Sequence, residues 1–122
     1  MSGFQPDGRH TVTPRIITPD PGGLIGFVNA VFGAGGEHRT DAPSEVAIGD
    51  STVMISDGGG LRPASAAFLY VYVPDADETY RRAMTAGATS IEAPLDTPYG
   101  DRRATIQDRW GNLWQIATHR GG

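Results

Sequence analysis

The sequence has no cysteine, and none of its ten basic residues is a lysine. Without cysteine there are no disulfides, no zinc-thiolate sites, no thiol redox chemistry and no cysteine nucleophile, so any metal would need His, Asp or Glu. Histidine is scarce too: His10, His38 and His119, two of them near the termini. No apolar run approaches the roughly 18 residues of a membrane span. The start, Met1-Ser2-Gly3-Phe4, lacks the charged-then-apolar pattern of a signal peptide, so a cytoplasmic location with no membrane partner is expected. A basic surplus is also missing. The formal net charge of −4 argues against a nucleic-acid surface. Residues 1–60 carry three arginines against seven acids, and residues 61–122 carry seven against seven.

What is present suits one small folded domain. At 122 residues, two independent cores would each be marginal, and 39% hydrophobic with 20% charged residues is the balance of a folded chain. The 17 glycines and 9 prolines favour many turns over a helical bundle.

An internal repeat organises the chain. Ile16 to Ala34 reads IITPDPGGLIGFVNAVFGA and Tyr70 to Ala88 reads YVYVPDADETYRRAMTAGA. Pro19-Asp20 matches Pro74-Asp75, and Gly33-Ala34 matches Gly87-Ala88, at an offset of about 55 residues. Each copy reads as strand, helix, then three strands. In the first helix Leu24, Phe27, Val28, Val31 and Phe32 form one apolar stripe. The second helix has Asp75 or Asp77 as its N-cap, the stripe Ala76, Tyr80, Ala83 and Met84, and Gly87 as its stop. The remaining strands are expected near 37–40, 44–48, 51–56, 90–95, 102–107 and 113–118. Residues 1–10 are a tail, 11–57 module one, 58–66 a linker in which Gly58-Gly59-Gly60 is flexible, and 67–119 module two.

The implied architecture is α+β: two tandem βαβββ modules whose curved mixed sheets surround a cleft, with the helices outside. Alternation along the strands assigns Thr13, Arg15, Ile17, Val53, Ile55, Phe68, Tyr70, Tyr72, Leu113 and Gln115 to the inner face. That lining is apolar and aromatic with one cation, the composition of a small-molecule pocket.

The repeat and the local signatures TPRIIT, FVNAVFGA, IGDSTVMISD, LYVYVPDADETYRRAMTAGA and YGDRRATIQDRWGNLWQIATH resemble the vicinal oxygen chelate superfamily, and within it the PhnB-like, glyoxalase-like branch. The resemblance spans about residues 11–119. It implies the glyoxalase, bleomycin-resistance and extradiol-dioxygenase fold, a homodimer, and in catalytic members a divalent metal held by the first and last strands of each repeat. Those positions correspond here to Thr13, Val53, Phe68 and Gln115. None is His, Asp or Glu, so no cofactor is expected and glyoxalase or dioxygenase activity is disfavoured.

Each candidate site residue has two readings. Arg15 is a bidentate clamp for a carboxylate or phosphate, or it pairs with an acid of a neighbouring strand. Phe68, Tyr70 and Tyr72 contact a ligand, or they close a cavity or a dimer interface. Tyr99, Asp101 and Arg102, in a Tyr-Gly-Asp-Arg run similar to PhnB-like relatives, make a pocket rim or a turn with a surface ion pair. Asp108-Arg109-Trp110-Gly111 reads as a turn, with Arg109 where the family usually has proline. Gln115 lines the cleft. His119 follows it on the same face, as an acid or base at the mouth or as an idle terminal residue. The expectation is a small-molecule-binding protein without a metal site, taking a neutral or anionic ligand, aromatic ones included. The alternative is an enzyme of the same fold, a lyase, isomerase or dioxygenase-like catalyst. It would recruit a metal through groups such as Glu45, His38 or His119, or run metal-free acid–base chemistry.

Overall fold

The computed structural model of the chain describes residues 3–121. In chain order the elements are β1 (Arg15–Ile17), α1 (Pro21–Phe32), β2 (Ser44–Ile48), β3 (Ser51–Ser56), β4 (Phe68–Tyr72), α2 (Ala76–Thr85), β5 (Thr89–Asp96), β6 (Asp101–Gln107) and β7 (Leu113–His119). Two compact units divide them. One takes the described residues through Asn29 together with Gly33–Ser65, and the other takes Ala30–Phe32 and the chain from Ala66 onward.

In the first unit the sheet order is β1-β3-β2, with β1 parallel and β2 antiparallel to β3. Ile16 stands beside Ile55 and Val46 beside Val53, and all four are buried. The helix α1 starts where Asp20 Oδ1 accepts the Gly23 N–H at 3.1 Å, with Pro21 at its first position, and stops at Gly33 in the left-handed region. Its stripe is buried at Leu24, Phe27, Val28 and Val31, and Ile25 joins it.

In the second unit the order is β4-β7-β6-β5, with β4 parallel to β7 and the other pairs antiparallel. Asp75 caps α2 through the Glu78 N–H, and the helix lies over β5, β6 and β7. One sheet face carries the buried Ala104, Ile106, Trp114 and Ile116, the core of this unit. Strand, helix and returning strands recur in both units, with the first strand of each parallel to its last. This is the expected α+β architecture with two modules and mixed sheets.

Four local expectations are corrected. Residues 37–40 form no strand; an isolated bridge between Gly35 and Ala47 stands there instead. The Arg39 N–H, which a ladder would use, donates to Ser44 Oγ at 2.8 Å. The stripe of α2 is Ala76, Thr79 and Ala83, a rotation that leaves Met84 exposed and Tyr80 half-buried. Gly58–Gly60 is wound into a 3-10 turn that Asp57 caps through the Gly59 N–H at 2.8 Å. Val53 and Ile55 lie on the buried face of β3, opposite Arg15, because Arg15 stands beside Met54 in the ladder.

Candidate functional site

The register of the second sheet assembles a polar and aromatic face from residues far apart in sequence. Tyr70 stands beside Gln115, Gln115 beside Thr105, and Thr105 beside Glu92; one row on, Tyr72 stands beside Ala117 and Ala117 beside Arg103. Asp101 faces His119 at the end of the β6–β7 ladder. Laterally paired residues share a face. The core of the helix-facing side is apolar, and the polar groups of these rows gather on the other.

At the centre is Asp101, only 2% exposed. Its Oδ2 accepts the hydroxyls of Tyr70 at 2.6 Å and Tyr72 at 2.9 Å, and its Oδ1 lies 2.8 Å from His119 Nδ1. The Tyr70 bond, then those of His119 and Tyr72, hold the Asp101 carboxyl below its ordinary range against the opposing effect of burial. An ionised carboxylate only accepts, so His119 Nδ1 carries the hydrogen of that bond. Burial and then the Asp101 bond push the Tyr70 phenol well up, and the Asp101 bond first of all raises that of Tyr72. The two rings meet edge to face with centroids 5.4 Å apart.

The network continues through Tyr99. Its hydroxyl lies 3.3 Å from that of Tyr70 and accepts Arg103 Nη1 at 2.8 Å. Arg103 grips Glu92 with both arms of its fork, at 3.0 and 3.1 Å, and Thr105 donates to the same carboxylate at 3.0 Å. The pair lowers the Glu92 pKa and raises that of Arg103. Gln115 Nε2 reaches Thr105 Oγ1 at 3.4 Å.

The structure therefore gathers Tyr70, Tyr72, Tyr99, Asp101, Gln115 and His119 into one constellation, with Phe68 on the same face. His119 is engaged rather than idle, and Asp101 is the buried centre of a hydrogen-bonded cluster whose tyrosines and imidazole stay exposed, rather than part of a surface turn. Arg102 takes the second of its two readings, an ion pair rather than a pocket rim. It faces the helix side, where it pairs with Asp77 at 3.2 Å and Asp96 at 3.4 Å. Arg15 lies in the first unit and meets no acid among the described residues; its Nε and Nη2 donate to Ser56 Oγ. Sequence reasoning missed Glu92, Arg103 and Thr105. Counting by twos from Asp101 finds Arg103 and Thr105, whereas Glu92 depends on register shifts in the β5–β6 ladder that alternation does not reveal.

Residues 8–116 match the family model described as the Glyoxalase/Bleomycin resistance protein/Dioxygenase superfamily. The chain belongs to this superfamily. Among relatives, it is 27% identical to the uncharacterized protein Rv0887c of Mycobacterium tuberculosis over 86% of this chain and 72% of that one. The fold is similar to that of TioX from Micromonospora sp. ML1, with a TM-score of 0.76, 24% identity and coverage of 90% of this chain and 98% of that one. A glyoxalase/bleomycin resistance protein/dioxygenase family enzyme from Burkholderia phytofirmans PsJN gives a TM-score of 0.73, 22% identity and coverage of 88% and 96%.

The metal positions that the superfamily implies can now be tested against this register. Arg15 is the repeat counterpart of Tyr70. Tyr70 stands beside Gln115 and Arg15 beside Met54, so Met54, not the buried Val53, is the counterpart of Gln115. The first unit then offers a hydroxyl and a thioether at Thr13 and Met54, and the second a phenyl ring and an amide at Phe68 and Gln115. Neither pair holds the carboxylate or imidazole that gives divalent ions most of their affinity. Among the described residues no three His, Asp or Glu side chains gather as a ligand set elsewhere. Glu45, a recruitment candidate, pairs with Arg9 at 2.6 Å.

Proposed function

We propose that this protein is a small-molecule-binding domain of the superfamily that uses no metal, and that its ligand stacks on the tyrosine face of the second unit. One observation carries the reading. Phe68, Tyr72, Tyr99 and Tyr70 leave 63%, 61%, 54% and 37% of their surface exposed on one side of a sheet, while three of their hydroxyls are held in a single hydrogen-bond network. Rings already fixed lose little freedom on binding, which favours a planar aromatic ligand. The charges of this face are mutually paired, Asp101 by three donors and Arg103 by Glu92, which supports a neutral ligand. The Tyr99-Gly100-Asp101-Arg102 run supports placement near the PhnB-like branch. The homodimer implied by the resemblance belongs to the same reading, and sedimentation velocity tests it.

The neutral aromatic probe 2-naphthol provides the test of binding. Its fluorescence should saturate with the wild-type chain. Tyr72→Ala and Phe68→Ala should each weaken binding by about 3- to 10-fold, the equivalent of one aromatic contact. Wild-type affinity in both variants would refute the site.

The His119–Asp101 contact favours a second reading, proton-transfer catalysis. Nδ1 is tied to a buried carboxylate and Nε2 makes no hydrogen bond among the described residues, the arrangement of an oriented general base. Incorporation of solvent deuterium at the α-carbon of a ketone probe such as α-tetralone, lost in His119→Gln, would support it. Exchange at the uncatalysed rate would remove it.

A further inference from the structure

Seven of the ten arginines form ion pairs with Asp or Glu, and Arg109 lies over the ring of Trp110. Among the described residues, Arg15 and Arg62 remain without a carboxylate in ion-pair reach. Both are exposed, and both line one cavity of the first unit, about 710 Å³ in volume. Shortage of acid does not explain this, since residues 1–62 hold seven acids against four arginines.

The local geometry fixes both side chains on one short segment. Arg15 Nε and Nη2 converge on the single oxygen of Ser56, at 3.3 and 3.0 Å. The Gly58 N–H approaches the same oxygen at 3.4 Å. A guanidinium fork matches the two oxygens of a carboxylate or phosphate, so one neutral hydroxyl leaves most of its donor capacity unused. Arg62 rests on Gly58: a Cβ there would stand 3.1 Å from Arg62 Cβ and 3.2 Å from Ile17 Cγ2. Ile17 in turn stands beside Ser56 in the ladder. The acids that line the cavity are already engaged. Asp41 pairs with Arg39 at 3.2 Å, Asp57 accepts the Gly59 N–H at 2.8 Å, and Asp20 accepts the Gly23 N–H at 3.1 Å.

We propose that this cavity binds a small organic oxyanion, a carboxylate or a phosphate monoester, through Arg15 and Arg62. Its lining shares no residue with the tyrosine face, and it does not depend on that reading. The volume exceeds the needs of a bare inorganic ion and lies in the range of small-molecule pockets, so the oxyanion is one end of a larger ligand.

Benzoate and phenyl phosphate, titrated into the full chain, test this by nuclear magnetic resonance of the arginine Nε–H groups. At least one probe should shift the Arg15 and Arg62 signals saturably. Arg15→Gln and Arg62→Gln should each weaken its binding by about tenfold or more, and Arg15→Lys, which keeps the charge but loses the fork, by less. Arg81→Gln, in α2, should leave the affinity unchanged. Saturation by phenyl phosphate alone assigns a phosphate monoester, and by benzoate alone a carboxylate. Shifts that never saturate, or an affinity equal to the wild type in both Arg15→Gln and Arg62→Gln, would overturn the proposal. Both arginines are exposed, so unchanged melting temperatures of the variants will separate lost binding from lost folding.

Discussion

A carboxylate taken out of water is tolerated only when its lone pairs are filled, and Asp101 fills its own with two phenols and an imidazole. The same bonds couple the tyrosines to the acid, because ionising either phenol would set a second negative charge beside the first. With its pKa lowered by folding, Asp101 contributes stability above the ordinary carboxylate range, and this is lost as pH falls towards its folded value. Tyr70 and Tyr72, with raised values, contribute stability that is fully present below the ordinary phenol pKa of about 10 and is lost as pH rises from there through their folded values. Spectrophotometric titration should therefore find two of the four tyrosines ionising later than free tyrosine. Asp101→Asn should bring those two back towards the ordinary value and flatten the dependence of melting temperature on pH at both ends; an unchanged tyrosine titration in that variant would contradict the coupling. At this scale the side of each strand was legible from period-two alternation, which grouped Phe68, Tyr70 and Tyr72 and put His119 with Gln115. Partners were not legible. Alternation puts Arg103 on the side of Asp101 and Arg102 on the other, but nothing local names Asp77 and Asp96 as the partners of Arg102, or Glu92 and Tyr99 as those of Arg103.

Between β6 and β7 a short loop does the work of a fastener. Gly111, at φ +90°, lets the chain reverse, and Asp108 accepts from the Trp110 and Asn112 backbones, from Asn112 Nδ2 and from Trp114 Nε1. Asn112 Oδ1 in turn accepts the Ala67 N–H at the start of β4, so the loop ties three strands together. Replacing Asp108 by Ala strands the buried indole and amide donors, and should cost about 3 kcal/mol in denaturant unfolding. A loss under about 0.5 kcal/mol would show that relaxation or water satisfies those donors. The Asp-x-x-Gly turn was evident from residue types, but the bond to Trp114 was not, since it depends on where β7 brings the indole. Strands were read well where β-formers lay between turn residues, as at 44–48 and 51–56. The failure at 37–40 follows from backbone competition: Ser44 and Asp41 draw Arg39 into a turn, and no propensity scale counts such bonds.

Over the whole molecule the repeat was the most informative feature, because two copies at a fixed offset require the same strand, helix and strand order twice. Its limit was register: a shift of one residue exchanges the faces of a strand, and this put Val53 where Met54 stands. The correction leaves the donor chemistry of the superfamily positions without carboxylate or imidazole in either unit, which has a consequence for stability. A ligand that binds only the folded state at a hundred times its dissociation constant adds about 2.7 kcal/mol. In a chain of this size that raises the melting temperature by about 5 to 15 °C. Zinc, nickel or manganese added to chelator-treated protein should therefore leave the melting temperature unchanged within about 1 °C, and 2-naphthol binding should be the same with and without the ion. A rise of several degrees with one of these ions would mean that His38, His119 or an acid is recruited to a metal after all, and the reading of this chain as a binding domain without a metal would fall with it.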